Sequence, residues 1–292
     1  MPTTWGRGAA AAALLLGGAA LAGCERVVTL EVPEGPVRLV VEARLERVRG
    51  RVSGAQSIRL TTTAPYFAAA APPPARNAVV RVTDETGAAV TFAESAARPG
   101  FYTTDALTLT TGRRYTLAID YAGQRYEATE VAQPVAAIDA LYFAPPAGVR
   151  AGAEAGLRAT VDLRDPRGVR NWYLWDQFVD GARLLGPDST TRLRVVATDE
   201  GFDGLRVVGY QPYDGARVAP GSTVLVRQVA LSESAYRYYF ALGDQTFNDG
   251  TPFDVPLASV RGNVVNRTDP SRPALGYFIA AEVAEARAVV PR

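Results

Sequence analysis

The sequence predicts a mainly β protein in two β-rich parts with one short helix. Apolar and β-branched residues alternate with polar ones over short stretches along most of the chain. Gly, Pro, Asn and Asp clusters interrupt those stretches at close intervals. Helical periodicity is confined to one segment, Ser232 to Leu242.

Residues 1–23 read as a secretory signal peptide, in which Arg7 precedes an uninterrupted small and apolar run from Gly8 to Gly23. That run is shorter than the ~20 apolar residues that span a bilayer. It ends in Leu21, Ala22, Gly23 and Cys24, which resembles the bacterial lipobox, so Cys24 is expected to begin the mature protein and to carry its lipid anchor. The alternative is an ordinary signal peptide with a chance cysteine. Cys24 is the sole cysteine, so it has no disulfide partner within the chain. Two acyl chains on the sulfur and one on the new amino terminus anchor far better than the single chain whose binding is marginal. Glu25, rather than Asp, follows the cysteine and favours the outer membrane.

Beyond Cys24, strands are expected at Val27–Val32 and Val37–Val48 with a turn at Pro33, Gly35 and Pro36, then at Ser57–Thr63 before an Ala/Pro-rich loop from Pro65 to Pro74. Ala78–Thr83, Ala88–Ala93, Phe101–Thr103, Tyr115–Tyr121 and Tyr126–Val131 continue the series. Gly100, Tyr102, Gly112 and Tyr115, leading into Leu117–Asp120, resemble an immunoglobulin- or transthyretin-like β-sandwich. Residues 24–134 are therefore expected to form that domain, with the Gln133–Pro134 step as its boundary.

Residues 135–292 are expected to form the second β-rich domain. Its strands are predicted at Ile138–Phe143, Leu157–Leu163, Asn171–Val179, Thr191–Thr198, Leu205–Tyr210, Thr223–Val229, Ser259–Asn263 and Tyr277–Val289, with an Ala/Gly-rich loop from Pro145 to Gly156. In the helix, Ser232 fits the N-cap, Glu233 the first turn and Gly243 the end. Tyr236, Tyr239, Phe240 and Leu242 fall mainly on one side, a face suited to packing on a sheet.

Composition narrows the chemistry. From Cys24 onward the chain carries 30 arginines, no lysine and 30 carboxylates, with no basic run, which gives no support for nucleic-acid binding. There is no histidine, which removes Ser-His-Asp and Cys-His nucleophiles and His-ligated metals. No cofactor, metal or catalytic residue is expected, and the chain is not expected to be an enzyme.

The aromatic strand Asn171–Val179 places Tyr173 and Trp175 on one face, where they could form a platform for a sugar or peptide. Core packing on both faces is the commoner outcome for such a strand. Asp199, Glu200 and Asp203, and again Asp244, Asp249 and Asp254, lie near glycines without EF-hand spacing, so solvated turns compete with a calcium loop. Asp162 and Asp165 could pair as glycosidase carboxylates or could hold a turn.

Leu231 to Tyr236, Arg261 to Asn266 with Gly262 and Asn263, Leu275 to Phe278, Arg38 to Ala43 and Gly100 to Tyr102 resemble the domain of unknown function 4249 family of Bacteroidetes-type lipoproteins. The resemblance spans nearly all of the chain after Cys24. It implies an outer-membrane, lipid-anchored protein that partners a TonB-dependent transporter as an accessory or ligand-binding subunit. A structural or adhesive surface protein is the competing expectation.

Overall fold

The computed structural model describes residues 35–52, 54–65, 70–146, 156–184, 195–246 and 260–292. The signal peptide, Cys24, the strand expected at 27–32, and Asp249 and Asp254 lie outside the described residues, as does most of the Pro145–Gly156 loop. One compact body comprises Val37–Ala64 and Ala68–Arg292. Of the other unit, Met1–Pro36 with Pro65–Phe67, only Gly35, Pro36 and Pro65 are described.

The chain is mainly β. Its first strands are β1 (Leu39–Val48), β2 (Gln56–Thr62), β3 (Val79–Asp84), β4 (Ala89–Glu94), β5 (Phe101–Thr104), β6 (Arg114–Tyr121) and β7 (Gln124–Val131). There follow β8 (Ile138–Ala144), β9 (Arg158–Arg164), β10 (Trp172–Val179), β11 (Ala182–Arg183), β12 (Val195–Thr198), β13 (Arg206–Tyr210) and β14 (Thr223–Leu231). Helix α1 (Glu233–Thr246), β15 (Val265–Asn266) and β16 (Leu275–Val289) complete the described elements. No helix among the described residues is long and apolar enough to cross a membrane.

The main sheet runs β11-β10-β14-β16-β1-β2-β5-β4-β3-β6-β7-β15, with β12 beside β10. It turns at β4, which pairs with β3 through Ala89–Phe92 and with β5 through Ala93 and Glu94. The two limbs therefore supply side chains to one core. Period-2 alternation sends Leu39, Val41, Ala43 and Leu45 of β1 inward, where they meet Ile58, Leu117, Ile119 and Phe278. A smaller sheet, β13-β9-β8, covers a second core built on β10 and β14.

Strand β16 serves three cores. Phe278 and Ala280 enter the first, Ala284 the second, and on the opposite face Tyr277, Ile279, Ala281 and Val283 lie beneath α1 with Leu174, Ala235 and Tyr239. Its first nine residues pair in parallel with β1, from Val40↔Leu275 to Val48↔Val283. A strand also needs partners on its other edge. Three different elements supply them in turn. The Asn263 side chain bonds both backbone groups of Phe278 at 2.8 Å, standing in for a strand neighbour. Gln133 then bonds Ala280 and Glu282 through its backbone, and β14 takes over from Val283 to Val289. The Gln133–Pro134 step is thus a tether onto β16, and the Glu282 carboxylate accepts the Val135 amide beside it.

Close backbone approach explains the glycines here. A Cβ on Gly262 would sit 1.6 Å from the Gly276 carbonyl oxygen, and one on Gly276 would sit 2.0 Å from that of Val41. Gly276 also has φ +88°, in the left-handed region.

Three expectations need correction. Helix α1 does not end at Gly243 but continues to Thr246, because a glycine that keeps right-handed geometry weakens a helix by only about 1 kcal/mol. The described part of the strand expected at Ser259–Asn263 is not strand: its backbone follows the Gly276 carbonyl, Asn263 spends its side chain on Phe278, and pairing begins only at β15. Asp180 and Gly181, both with positive φ, close a two-residue hairpin that adds the unanticipated strand β11 to β10.

Candidate functional site

The face of β1 turned away from the first core carries Val40, Glu42 and Arg44, and α1 rises beside it. Between them lies a groove of about 700 Å³, within the range of small-ligand sites. Ser57 and Arg59 of β2 and Phe101 of β5 form one side of its lining. Tyr277 of β16, Tyr238, Tyr239, Leu242 and Gln245 of α1, and Arg183 of β11 form the other. Arg98 and Arg59 place guanidinium carbons 4.4 and 5.7 Å from the Phe101 ring centre. Tyr238 and Tyr277 stand 4.9 Å apart, tilted by 40°.

Beneath the groove runs an ionic network across five strands. Asp176 of β10, 1% exposed, accepts from Arg44 at 2.9 Å and from Arg183. Glu46 forms an ion pair with Arg44 at 2.5 Å and accepts from Arg227 of β14 at 2.7 Å, and Arg227 also donates to Glu285 of β16 at 2.8 Å. Burial pushes the Asp176 carboxyl upward, but Arg44 and Arg183 outweigh it and hold the group below the usual carboxylate range. The same balance applies to Glu46, where Arg44 and Arg227 overcome burial, so both acids are charged. A second hollow, of about 490 Å³, opens on the Glu46 and Arg227 side of the network.

The sequence model of the family described as Domain of unknown function (DUF4249) matches residues 25–287. The chain belongs to the DUF4249 family. No curated protein matches it. Some residues that carry the resemblance, among them Glu42, Phe101 and Tyr277, line the groove, and others are structural in this DUF4249 chain. Gly262, Asn263 and Gly276 hold β16 against β1 and its neighbours. Gly100 exchanges backbone contact with Leu60, and the Tyr102 hydroxyl donates to Ala75 and accepts from Ala78, pinning the loop before β3.

Tyr173 and Trp175 do not form an open platform. They are 2% and 1% exposed, deep in the second core, because sheet β13-β9-β8 closes over that face. The Tyr173 hydroxyl donates to Asp165 at 3.2 Å, and Trp175 packs against Tyr210, whose phenol burial pushes up to about 12. The cavity they share is about 50 Å³, too small for a sugar ring.

The acidic residues act as turn-holders. Asp162 accepts from Tyr142 and the Gly209 amide, and Asp165 from Tyr173 and the Gly204 amide. Asp199 accepts the Asn171 amide at 2.7 Å and Asp203 the Gly168 amide at 2.6 Å. Asp244 lies within α1. The groove's arginines went unremarked in the sequence, since Arg44 and Arg59 sit at the polar positions of alternating strands and read as a solvated face. The one available signal was the tyrosine-rich side of the helix.

At the N-terminus of α1, Ser232 caps the Ala235 amide and donates to the buried carboxyl of Glu130 at 3.0 Å. The Tyr277 hydroxyl donates to Ser234, completing the cluster. Burial raises the Glu130 pKa, with Ser232 and the Val131 amide opposing it. A carboxyl raised on folding stabilises the protein below its unfolded pKa, and that stability is lost as pH rises through the folded value. Glu130→Gln removes the buried charge while keeping an acceptor for Ser232. The melting temperature of the variant is therefore expected to exceed that of the parent above neutrality and to converge with it in mild acid; a lower value at high pH would contradict this account.

Proposed function

We propose that this DUF4249 chain is a non-enzymatic outer-membrane lipoprotein, anchored through Cys24, that binds a small ligand as the accessory partner of a TonB-dependent transporter. The observation that carries the ligand-binding part is the groove between α1 and the outer face of β1, β2 and β16, which is of small-molecule size and mixes aromatic rings with guanidinium groups. Anchor and location rest on the Leu21–Cys24 ending and on Glu25. The transporter partnership rests on the family context stated with the resemblance.

The test is purification of the tagged, lipidated protein from outer membranes in mild detergent, beside Cys24→Ala and Ser57→Trp. Ser57 is exposed on β2 where the groove and the second hollow meet, so tryptophan there obstructs the groove without entering the core. Recovery of a TonB-dependent barrel with the parent, and loss of membrane fractionation in Cys24→Ala, are the expected results. Ser57→Trp should keep the anchor and lose ligand-induced thermal stabilisation. A protein that stays at the outer membrane without a barrel, and that no ligand stabilises, would favour the adhesive reading. The exposed Leu205 and Val208 on and beside edge strand β13 are compatible with that alternative.

A further inference from the structure

We infer that the groove takes a ring-bearing organic carboxylate, held by Arg59, Arg44 and Arg183; this rests on the ligand-binding reading above. Among the described residues, four charged side chains line the groove, three arginines and Glu42. Glu42 is already engaged by Arg59 at 3.2 Å. The carboxylate beneath, Asp176, is 1% exposed and takes a single terminal nitrogen from each of Arg44 and Arg183.

A guanidinium carries five donors in a rigid fork that matches a carboxylate edge to edge. Arg59 and Arg183 line the groove with 36% and 30% of their side chains exposed, so their outer N–H groups are open to it. A carboxylate can accept from those exposed N–H groups, whereas a cation offers them no acceptor. The ring follows from the walls. Tyr238 and Tyr277 offer neighbouring aromatic surfaces, and Phe101 sits under the Arg59 guanidinium. A planar or chair-shaped ring laid there places its carboxylate toward Arg183 and Arg44.

The experiment is isothermal titration of the detergent-solubilised full chain with two matched pairs of probes, D-glucuronate against D-glucose and N-acetyltyrosine against its neutral amide. In one pair at least, the acid is expected to bind about tenfold tighter than its neutral partner, the size of one charge-assisted hydrogen bond. Arg59→Gln and Arg183→Gln should each weaken the acid by a similar factor while leaving the neutral probe unchanged. The two acids separate sugar-derived from aromatic ligands. Equal binding of acid and amide or sugar, unaffected by Arg59→Gln but abolished by Ser57→Trp, would overturn the charge assignment and leave the groove standing. No binding by any probe, or binding that Ser57→Trp does not change, would overturn both. Arg59 is partly exposed on a strand surface, so the unliganded melting temperature of Arg59→Gln should match the parent and exclude misfolding as the cause.

Discussion

Asp176→Ala is expected to lower the stability of the folded protein by about 3–5 kcal/mol, measured by urea unfolding at neutral pH. The carboxylate is 1% exposed and is the shared acceptor of Arg44 and Arg183, with Arg227 4.0 Å away. Removing it leaves three guanidinium groups close together with only Glu46 and Glu285 to balance them. Glu42→Gln is the comparison: that acid is 53% exposed and its pair with Arg59 is worth about 0–1 kcal/mol. The pH dependence provides a second check. Arginine neighbours hold the folded pKa of Asp176 below its unfolded value, so its contribution is complete above the unfolded pKa and disappears as pH falls through the folded one. The gap between parent and variant should therefore narrow in acid. A gap that is small at neutral pH, or that widens on acidification, would show that the network does not hold β10 to β1.

Gly276→Ala should be as damaging by an unrelated route, with a loss of about 2–6 kcal/mol from backbone strain and forced separation together. The new methyl would stand 2.0 Å from the Val41 carbonyl oxygen, at the pairing of β1 with β16, and the backbone at φ +88° disfavours any side chain. Neither obstacle is the end of a flexible chain that can swing aside. Gly87→Ala separates the two effects, because Gly87 has a similar φ of +87° but nothing within 4 Å of a Cβ. Thermal unfolding of both variants should show a modest shift for Gly87→Ala and a large one, or failure to accumulate folded protein, for Gly276→Ala. Equal shifts would mean that strain alone operates and that the β1–β16 approach is looser than described.

The strands were legible wherever one face meets a core and the other does not. Leu39, Val41, Ala43 and Leu45 announce β1, and Tyr115, Leu117 and Ile119 announce β6, because period-2 alternation survives in the sequence. What failed were features that depend on distant partners. Arg44, Glu46 and Arg227 occupy alternating polar positions like any solvated strand face, and only neighbouring strands and α1 bury them. Nothing local marks that cover. Tyr173 and Trp175 illustrate the converse, since an aromatic face that could bind a ligand is closed by a separate sheet. Asn263 was readable as part of a motif, but its work of completing the edge of Phe278 requires knowing where β16 lies.

That placement of β16 has a consequence for how the chain is made. Synthesis begins at the amino end, so Val40 emerges long before Leu275, its parallel partner. Until then β1 has β2 on one side and an open edge on the other, and the first core lacks Phe278 and Ala280. Neither half of the body can finish on its own schedule, because Ala284 closes the other core from the same strand. A nascent chain therefore stays loosely packed until β16 is available. Under the export proposed above, that delay keeps the chain threadable until its passage is complete.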